Sequence, residues 1–479
     1  MYESLFPGKR ALLLGIGGSG MSAIAHILLD MNFEVFGYDK KISNVTNFLK
    51  ERGAFVYQTL DSIDSSKISF IVISSAINDK NHSIFQEVSN LPIPMFHRSE
   101  VLHKIFSLHK SISVAGSHGK TSTTTMIAQI LEESNFEPSV MIGADTALLG
   151  KKGGKFGKGE WGVYESDESD GTFQNHLANI RVVSNIDNDH LDFYKTKDRL
   201  ETAFLKYISP NQPGSAVLQG NDNGVQNILS NLSDKTEISK EFQLYVIWRN
   251  IDFKEKRIVD LQDRLKSLMK DQYFPIFFDI HQSILSFNYL GHSYQLKLPY
   301  EGEHYLTNGL TAVISGFLVS IPLEKGIETL SNYIGVKRRQ EVLGNKDGVT
   351  VVDDYGHHPT EINIVIKSLK ANLPANKKIV VLFQPHRYTR TQLLQVELAD
   401  ALSSADFLYL LPIYSAGEKE IEGVTSASIA KHLNGVAFKL LSGEMKADVM
   451  ELRKQLNSGD LLLSLGAGSV REWGEDFLR

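Results

Sequence analysis

The chain has 479 residues, of which 42% are hydrophobic and 22% charged, and its formal net charge is −6. A mildly acidic chain gives no electrostatic reason to expect nucleic acid or an anionic membrane as a partner, and the lack of cysteine excludes disulfides and cysteine-based zinc sites. The length predicts about three domains, and with no signal pattern and no membrane-length apolar run we expect a cytoplasmic protein.

The first residues predict a nucleotide-binding βαβ unit. A buried strand at residues 11–14 leads into GIGGSG, starting at Gly15, which matches G-x-G-x-x-G before an apolar helix. A second strand, at residues 33–38, ends at Asp39, close to the offset at which an acid contacts a ribose. This pattern supports a diphosphate on a helix N-terminus, so an NAD(P)-dependent oxidoreductase is one alternative.

A second glycine loop follows a predicted strand at residues 112–115. The sequence GSHGKT, from Gly116, leads into a predicted helix at residues 122–133. Val114 stands where the longer phosphate-loop pattern has its first glycine, so that pattern is not matched. Strand, glycine loop, Lys-Thr and helix nevertheless form the layout that holds a nucleoside triphosphate, with backbone N–H groups and a lysine facing the phosphates.

Two polar clusters follow the next predicted strands. The segment ESDESD, from Glu165, places four carboxylates within six residues after a strand at 162–164, which favours Mg²⁺ ligation over a solvated loop. His190 lies in the segment after another strand, at residues 181–185. If the two strands are parallel, His190 and Glu168 lie near one phosphate site.

Few residues between these clusters and the C-terminal third are predicted to belong to a functional site. Residues 151–158 predict a surface loop, because they are rich in Gly and Lys. Residues 230–298 suggest a peripheral lobe without a predicted role. Farther on, polar clusters come just after predicted strands at residues 349–354 and 378–383, where open α/β sheets build their sites.

Taken together, these motifs resemble the Mur ligases, ATP-dependent amide-forming enzymes of peptidoglycan precursor synthesis. The likeness covers nearly the whole chain in order. Its motifs are GIGGSGMSAIA, GSHGKTSTT, DESDGTF, NIDNDHLDFY, GVKRR, DDYGHHPTEI, FQPHRYTRT and IYSAGE.

The resemblance implies an α/β fold of three domains. These are a Rossmann-like domain binding the UDP-sugar at residues 1–109, a P-loop-type ATPase domain at 110–335, and a Rossmann-like domain that binds the amino acid and closes at 336–479.

The resemblance also implies a site residue by residue. The sugar nucleotide would be bound by Gly15, Gly17, Gly18, Ser19, Gly20, Met21, Asp39, Ser74 and Ser75. ATP would be bound by Gly116, Ser117, His118, Gly119, Lys120, Thr121, Ser122, His304, Asn308, Arg339 and Asp354. Two Mg²⁺ ions, or Mn²⁺, would be held by Thr121, Glu168 and His190. Catalysis and amino-acid binding would fall to Lys120, His357, His386, Arg387 and Arg390.

The implied reaction joins L-alanine to the carboxylate of UDP-N-acetylmuramate through an acyl phosphate, with ATP as the phosphoryl donor. The implied partners are these three small molecules alone, and the protein would be a monomer or a homodimer. Ligation of a recycled tripeptide to the same sugar nucleotide is a second alternative, and a non-catalytic nucleotide sensor is a third.

Overall fold

The computed structural model describes residues 5–74, 77, 83–175, 177–250 and 255–479. The chain divides into two compact units, which are residues 1–298 with 306–334, and residues 299–305 with 335–479. The first unit holds two β-sheets and the second holds one. The predicted domain boundaries after residues 109 and 335 stay predictions.

The N-terminal part of the first unit is a Rossmann-like sheet with helices. Its elements are β1 (Arg10–Leu14), α1 (Ser19–Asp30), β2 (Glu34–Tyr38), α2 (Asn44–Glu51), β3 (Phe55–Tyr57), β4 (Phe70–Ile73), α3 (Ser83–Ser89), β5 (Met95–His97) and α4 (Arg98–Phe106). The strands are all parallel, in the order β3-β2-β1-β4-β5. Parallel sheets are covered on both faces, and β1 accordingly has four consecutive buried residues.

The larger sheet of the first unit has ten strands. Its elements are β6 (Lys110–Ala115), α5 (Lys120–Glu133), β7 (Ser139–Thr146), β8 (Lys152–Lys155), β9 (Trp161–Glu165), β10 (Ile180–Val183), α6 (Leu191–Tyr194), α7 (Lys197–Ile208), β11 (Gly214–Gln219), α8 (Asn223–Ser230), β12 (Phe242–Arg249), α9 (Lys256–Met269), β13 (Tyr273–His281), β14 (Ile284–Tyr289), β15 (His292–Leu296), α10 (Glu303–Phe317) and α11 (Leu323–Ser331). The strand order is β15-β14-β13-β12-β11-β10-β6-β9-β7-β8.

This strand order brings three predicted loops together. Strand β6 lies between β9 and β10, and both pairings are parallel. The carboxyl ends of parallel strands meet at one edge of a sheet, so the segments that follow β6, β9 and β10 come together there.

Two sequence predictions about this sheet are wrong. Residues 230–298 are not a peripheral lobe, because β12 to β15 extend the central sheet and Trp248 is fully buried in its core. Residues 151–158 are not a surface loop, because residues 152–155 form β8 with Gly153 and Gly154 buried. Glycine is needed in β8 for close packing, since a Cβ at Gly154 would lie 2.1 Å from the carbonyl oxygen of Ala23 in α1.

Substituting Gly154 with alanine will therefore destabilise the first unit. Forcing a methyl group against the backbone of α1 will lower the free energy of unfolding by about 1–3 kcal/mol, measured by denaturant titration. The control is Gly326→Ala in α11, where a Cβ would meet Val313 at an ordinary 3.5 Å and alanine favours the helix. Equal midpoints for Gly154→Ala and the wild type would contradict this packing.

The second unit is built on one six-stranded sheet. Its elements are β16 (Glu341–Lys346), β17 (Val349–Asp354), α12 (Pro359–Ala371), β18 (Ile379–Phe383), α13 (Tyr388–Leu402), β19 (Phe407–Leu410), α14 (Ser426–Ala430), β20 (Ala437–Leu440), α15 (Met445–Arg453), β21 (Leu461–Leu465) and α16 (Arg471–Phe477). The order is β16-β17-β21-β18-β19-β20, and only the β16–β17 pair is antiparallel among these strands. The predicted α/β class with Rossmann-like outer sheets is confirmed. Within the described ranges, no helix has the length and apolar character needed to span a bilayer.

Candidate active site

The loop between β6 and α5 is shaped by its two glycines. Gly116 and Gly119 both have positive φ angles, 135° and 81°, which favour glycine. A Cβ at Gly116 would lie 2.2 Å from the Ser184 hydroxyl, and one at Gly119 would lie 2.9 Å from Asn308. Helix α5 begins at Lys120, two residues earlier than predicted. The first-turn N–H groups of α5 therefore open directly onto the loop.

The loop, residues 116–119, is braced by the segment that follows β10. The N–H of His118 donates to Asn185 Oδ1 at 2.8 Å, and His118 Nε2 lies 3.1 Å from Asp187 Oδ2. The Ser117 hydroxyl accepts a hydrogen bond from the N–H of Asp187 at 2.9 Å. These contacts hold the loop in one conformation.

Lys120 is held inside this loop as an ammonium. Its Nζ donates to the carbonyl oxygens of Gly116 and Ser117, at 2.5 and 3.3 Å, and lies 2.9 Å from Glu168 Oε1. Burial alone would lower the pKa of Lys120, but Glu168 and Glu165 raise it above its usual value. The side chain stays charged and points along the loop.

Thr121 contacts an acid that the sequence did not single out. The Thr121 hydroxyl donates to Glu165, at 3.0 Å to Oε2, and Glu165 also accepts the N–H of Gly143 at 2.9 Å. Glu165 ends β9, beside β6, so only the strand pairing reveals its contact with Thr121. The sequence signal for Glu165 was its place in the acidic segment.

His190 and Glu168 do meet, as the parallel-strand expectation requires. His190 Nε2 lies 3.7 Å from Glu168 Oε1. Glu168 is 1% exposed, and its Oε2 is buried without a hydrogen-bond partner among the described residues. Burial, together with Asp167, raises the pKa of Glu168. Glu168 therefore has a buried carboxylate oxygen without a partner and an imidazole near its other oxygen, and carboxylate oxygen is a ligand that hard divalent cations prefer.

The carboxylates in the acidic loop, which we define as residues 165–170, do not all face this set. Asp167 Oδ2 lies 2.5 Å from Arg98 Nη2, and Asp170 Oδ2 lies 3.6 Å from the same atom. Burial alone would raise the pKa of Asp167, but Arg98 and Lys120 hold it well below its usual range. Arg98 was not a candidate from the sequence.

The predicted adenine-side residues fall in different units. Asn308 is 5% exposed, lies beside Gly119, and accepts a hydrogen bond from Gln219 Nε2 at 3.0 Å. His304 belongs to the second unit, where burial and Arg339 lower its pKa to about 4.

The N-terminal glycine loop is held by Asp39. Its Oδ2 accepts the N–H of Gly17 at 2.9 Å, and a Cβ at Gly17 would lie 2.8 Å from that oxygen. Helix α1 starts at Ser19 without a side-chain cap on its N-terminus. Met21 is 3% exposed and packs in the apolar core. Ser74 follows β4, whereas Ser75 lies outside the described residues.

In the second unit, Arg339 and Asp354 sit around the end of β17. Asp354 accepts the N–H groups of Gln340 and Gly356, at 2.9 and 2.7 Å. Burial raises the pKa of Asp354 to about 6, although Arg339 opposes the shift. The Arg339 guanidinium lies 5.4 Å from the Tyr355 ring centre.

The remaining predicted residues gather at the ends of β17 and β18. The rings of His357 and His386 are 5.9 Å apart, and His386 stacks on Tyr414 at 5.7 Å. Arg387 Nε donates to Glu418 Oε1 at 2.6 Å. Arg390 is one cause of the lowered pKa of both histidines. Tyr414 and Glu418 were missed as individual residues, although the IYSAGE motif contains both.

The lowered pKa values of His357 and His386 predict that the protein loses stability in acid. Burial, then Arg390, lowers the pKa of His357 to about 3. The folded state holds this imidazole neutral, so the free energy of unfolding is unaffected by it above about pH 6.5. Below that pH the free energy of unfolding falls as the pH approaches the pKa of His357 in the folded state. Between about pH 7.5 and pH 5 the free energy of unfolding should fall by about 2 kcal/mol for this reason.

A His357→Gln variant should remove that part of the pH dependence. The readout is hydrogen exchange of peptides from β18 and β21 at both pH values, since these strands form the core of the second unit. An equal acid-induced loss in the variant and the wild type would contradict the lowered pKa.

Three family descriptions match the chain in order. The "Mur ligase family, catalytic domain" matches residues 12–110, the "Mur ligase middle domain" matches residues 114–316, and "Mur ligase, glutamate ligase domain" matches residues 338–468. Together they span most of the chain.

Individual proteins resemble it over nearly their full length. A UDP-N-acetylmuramate–L-alanine ligase of Endomicrobium trichonymphae is 36% identical, covering 97% of both chains. The protein of that name in Dictyoglomus turgidum is also 36% identical, covering 98% of this chain and 96% of its own. Among solved structures, the UDP-N-acetylmuramate-alanine ligase of Thermotoga maritima superposes with a TM-score of 0.74 at 22% identity, covering 98% of each chain. A murein peptide ligase of Psychrobacter arcticus 273-4 follows at 0.71 and 18%, again covering 98% of each.

Proposed function

The chain belongs to the Mur ligase family, and we propose that it joins L-alanine to the carboxylate of UDP-N-acetylmuramate, converting ATP to ADP and phosphate. The main support for this proposal is 36% sequence identity, over nearly the full length of the chain, to ligases named for that reaction. The charged Lys120 beside a buried carboxylate, at the start of a helix, supports the phosphoryl chemistry.

ATP is bound at the loop between β6 and α5. The first-turn N–H groups of α5 face the phosphates, and Lys120 adds a positive charge that Glu165 and Glu168 preserve. Asn308 borders the loop from α10. In the second unit, Arg339, Asp354 and His304 are the proposed nucleotide contacts.

Thr121, Glu168 and His190 would hold Mg²⁺, with Glu165 as a further carboxylate beside Thr121. When bound, the cation neutralises phosphate charge and polarises the transferring phosphoryl group. The orphaned Oε2 of Glu168 supports this assignment, because a buried anionic oxygen without a partner is costly.

The sugar nucleotide is bound at the N-terminal glycine loop. Asp39 holds the N–H of Gly17, which shapes the turn before α1, and the uncapped N-terminus of α1 suits a diphosphate. This use of the loop replaces the NAD(P) alternative, which leaves Lys120 and the acidic loop without a role.

In the first step, a muramyl carboxylate oxygen attacks the γ-phosphorus, and the bond from that phosphorus to ADP breaks. Two anions must approach, so Lys120 and Arg339 offset their repulsion and stabilise the charge on the transferring group. The product is an acyl phosphate, which has a better leaving group than the carboxylate.

In the second step, the amine of L-alanine attacks the acyl carbon, and inorganic phosphate leaves with the carbon–oxygen bonding pair. The ammonium must lose a proton before it attacks, and His357 or His386 is the candidate base by residue type. Burial lowers the pKa of both imidazoles, so each is neutral near pH 7 but a weaker base than a free imidazole. Arg387 and Arg390 suit the alanine carboxylate, since guanidinium binds carboxylates through paired hydrogen bonds.

Phosphate release tests the proposal. Purified protein with ATP and Mg²⁺ should release phosphate only when UDP-N-acetylmuramate and an amine are both present, and fastest with L-alanine among L-alanine, glycine, L-serine and the recycled tripeptide. A preference for the tripeptide would move the function to the murein peptide ligases, and turnover without the sugar nucleotide would exclude both ligases.

An isotope experiment tests the acyl phosphate. With ¹⁸O in the muramyl carboxylate, one ¹⁸O atom should appear in the released phosphate, because that oxygen bridges carbon and phosphorus before the amine attacks. Phosphate without the label would rule out this intermediate.

A further inference from the structure

Two of the four carboxylates in the acidic loop pair with a cation that lies outside the phosphate-binding loop. Asp167 and Asp170 both face Arg98, the first residue of α4. The N–H of Ser169 also donates to Asp167, at 3.0 Å, so the backbone of the acidic loop is tied to the same carboxylate. Arg98 is the cation shared by both acids.

Arg98 also lies close to α1. Its side chain is 21% exposed, and its Nη1 lies 3.1 Å from the point where a Cβ on Gly20 would stand. Gly20 is in the first turn of α1, next to the glycine loop that we assign to the sugar nucleotide. The guanidinium therefore lies between that loop and the acidic loop.

We propose that Arg98 is a positioning residue that fixes the acidic loop and, through Asp167, keeps the adjacent Glu168 at Lys120. This inference rests on the proposed function. A guanidinium can bind two carboxylates at once, which a single ammonium does less well. Without it, Asp167 and Asp170 repel each other and Glu168, and Asp167 competes with Glu168 for Lys120.

The first test replaces Arg98 with methionine, which keeps much of the side-chain volume without the charge. We expect kcat for ligation to fall about 10- to 100-fold, the usual effect of losing a group that orients a ligand. ATP binding, measured by calorimetry without the other substrates, should weaken as well. The KM for L-alanine should change little, and Arg98→Lys should recover part of kcat.

A double-mutant cycle shows whether Arg98 acts through Asp167. Asp167→Asn should lower kcat in the wild-type background but cause no further loss in Arg98→Met, because both changes break the same contact and the second also removes the charge that competes for Lys120. Losses that multiply would overturn the proposed route through Asp167.

The matched control is Arg52→Met. Arg52 pairs with Asp30 at 2.6 Å and its Nη1 lies 2.8 Å from His26 Nδ1, its side chain is 23% exposed, and neither of these partners is assigned to catalysis. We expect both methionine variants to lower the melting temperature but only Arg98→Met to weaken ATP binding. Equal ATP binding and equal kcat in the two variants would overturn the inference. A wild-type protein that binds ATP without ligating L-alanine would refute the proposed function, while calorimetry would still test Arg98.

Discussion

Replacing Lys120 with alanine will lower the turnover of ligation by about 10²-fold or more. The ammonium lies 2.9 Å from Glu168 and is bonded to two carbonyl oxygens of the glycine loop. It is a positive side chain at the proposed phosphate site, so its loss leaves the repulsion between the two approaching anions less compensated. Steady-state phosphate release with all three substrates measures the effect.

The control is Lys155→Ala. Lys155 pairs with Glu132 at 2.5 Å in the same unit, so its substitution also removes a partly buried lysine and its ion pair. We expect near-normal turnover in that variant, and melting curves will show whether either protein is misfolded. Near-normal turnover of a folded Lys120→Ala protein would refute the assignment of Lys120.

The parts of the fold with strong local patterns were predictable. The strand predicted at residues 349–354 has those bounds in the structure, and the one predicted at 378–383 is observed at Ile379–Phe383, because apolar runs in parallel sheets end where polar site residues begin. The meeting of Glu168 and His190 followed from the rule that parallel strands share a carboxyl edge.

The errors arose where tertiary packing reverses the local signal. Glycine and lysine usually mark a loop, but Gly154 lies in a strand because α1 approaches too closely for a Cβ. Strand β12 was hidden among charged neighbours, yet Trp248 in it is fully buried by elements distant in sequence. Local composition does not reveal such packing.

The sequence predicted which loops form the site, but not which of their side chains contact each other. The acidic loop was expected to supply metal ligands as a group, but Asp167 and Asp170 face Arg98, which precedes Asp167 by 69 residues. Likewise, the contact of Glu165 with Thr121 depends on the β6–β9 pairing. Residue type gave the chemistry, while the topology decided which atoms meet.

Replacing Arg339 with alanine should lower turnover by about 10²- to 10³-fold, the scale for losing a donor that stabilises developing charge. Arg339 is 24% exposed, its guanidinium lies 5.4 Å from the Tyr355 ring centre, and its Nη1 lies 3.7 Å from Glu361. These neighbours hold the planar group in one orientation, so Arg339→Lys, which keeps the charge but not the plane, should recover only part of the rate.

The control for lost stacking is Arg453→Ala in the same unit. Arg453 lies 5.4 Å from the Phe477 ring centre and donates to the Phe477 carbonyl at 3.0 Å. Like Arg339 it packs against an aromatic ring, but it has no proposed role in the reaction. Single-turnover phosphate release should slow in Arg339→Ala and not in Arg453→Ala, because the arginine acts on phosphoryl transfer. If Arg339→Ala instead keeps the wild-type single-turnover rate, the guanidinium does not stabilise the transferring phosphoryl group, and Lys120 with the cation must supply that charge alone.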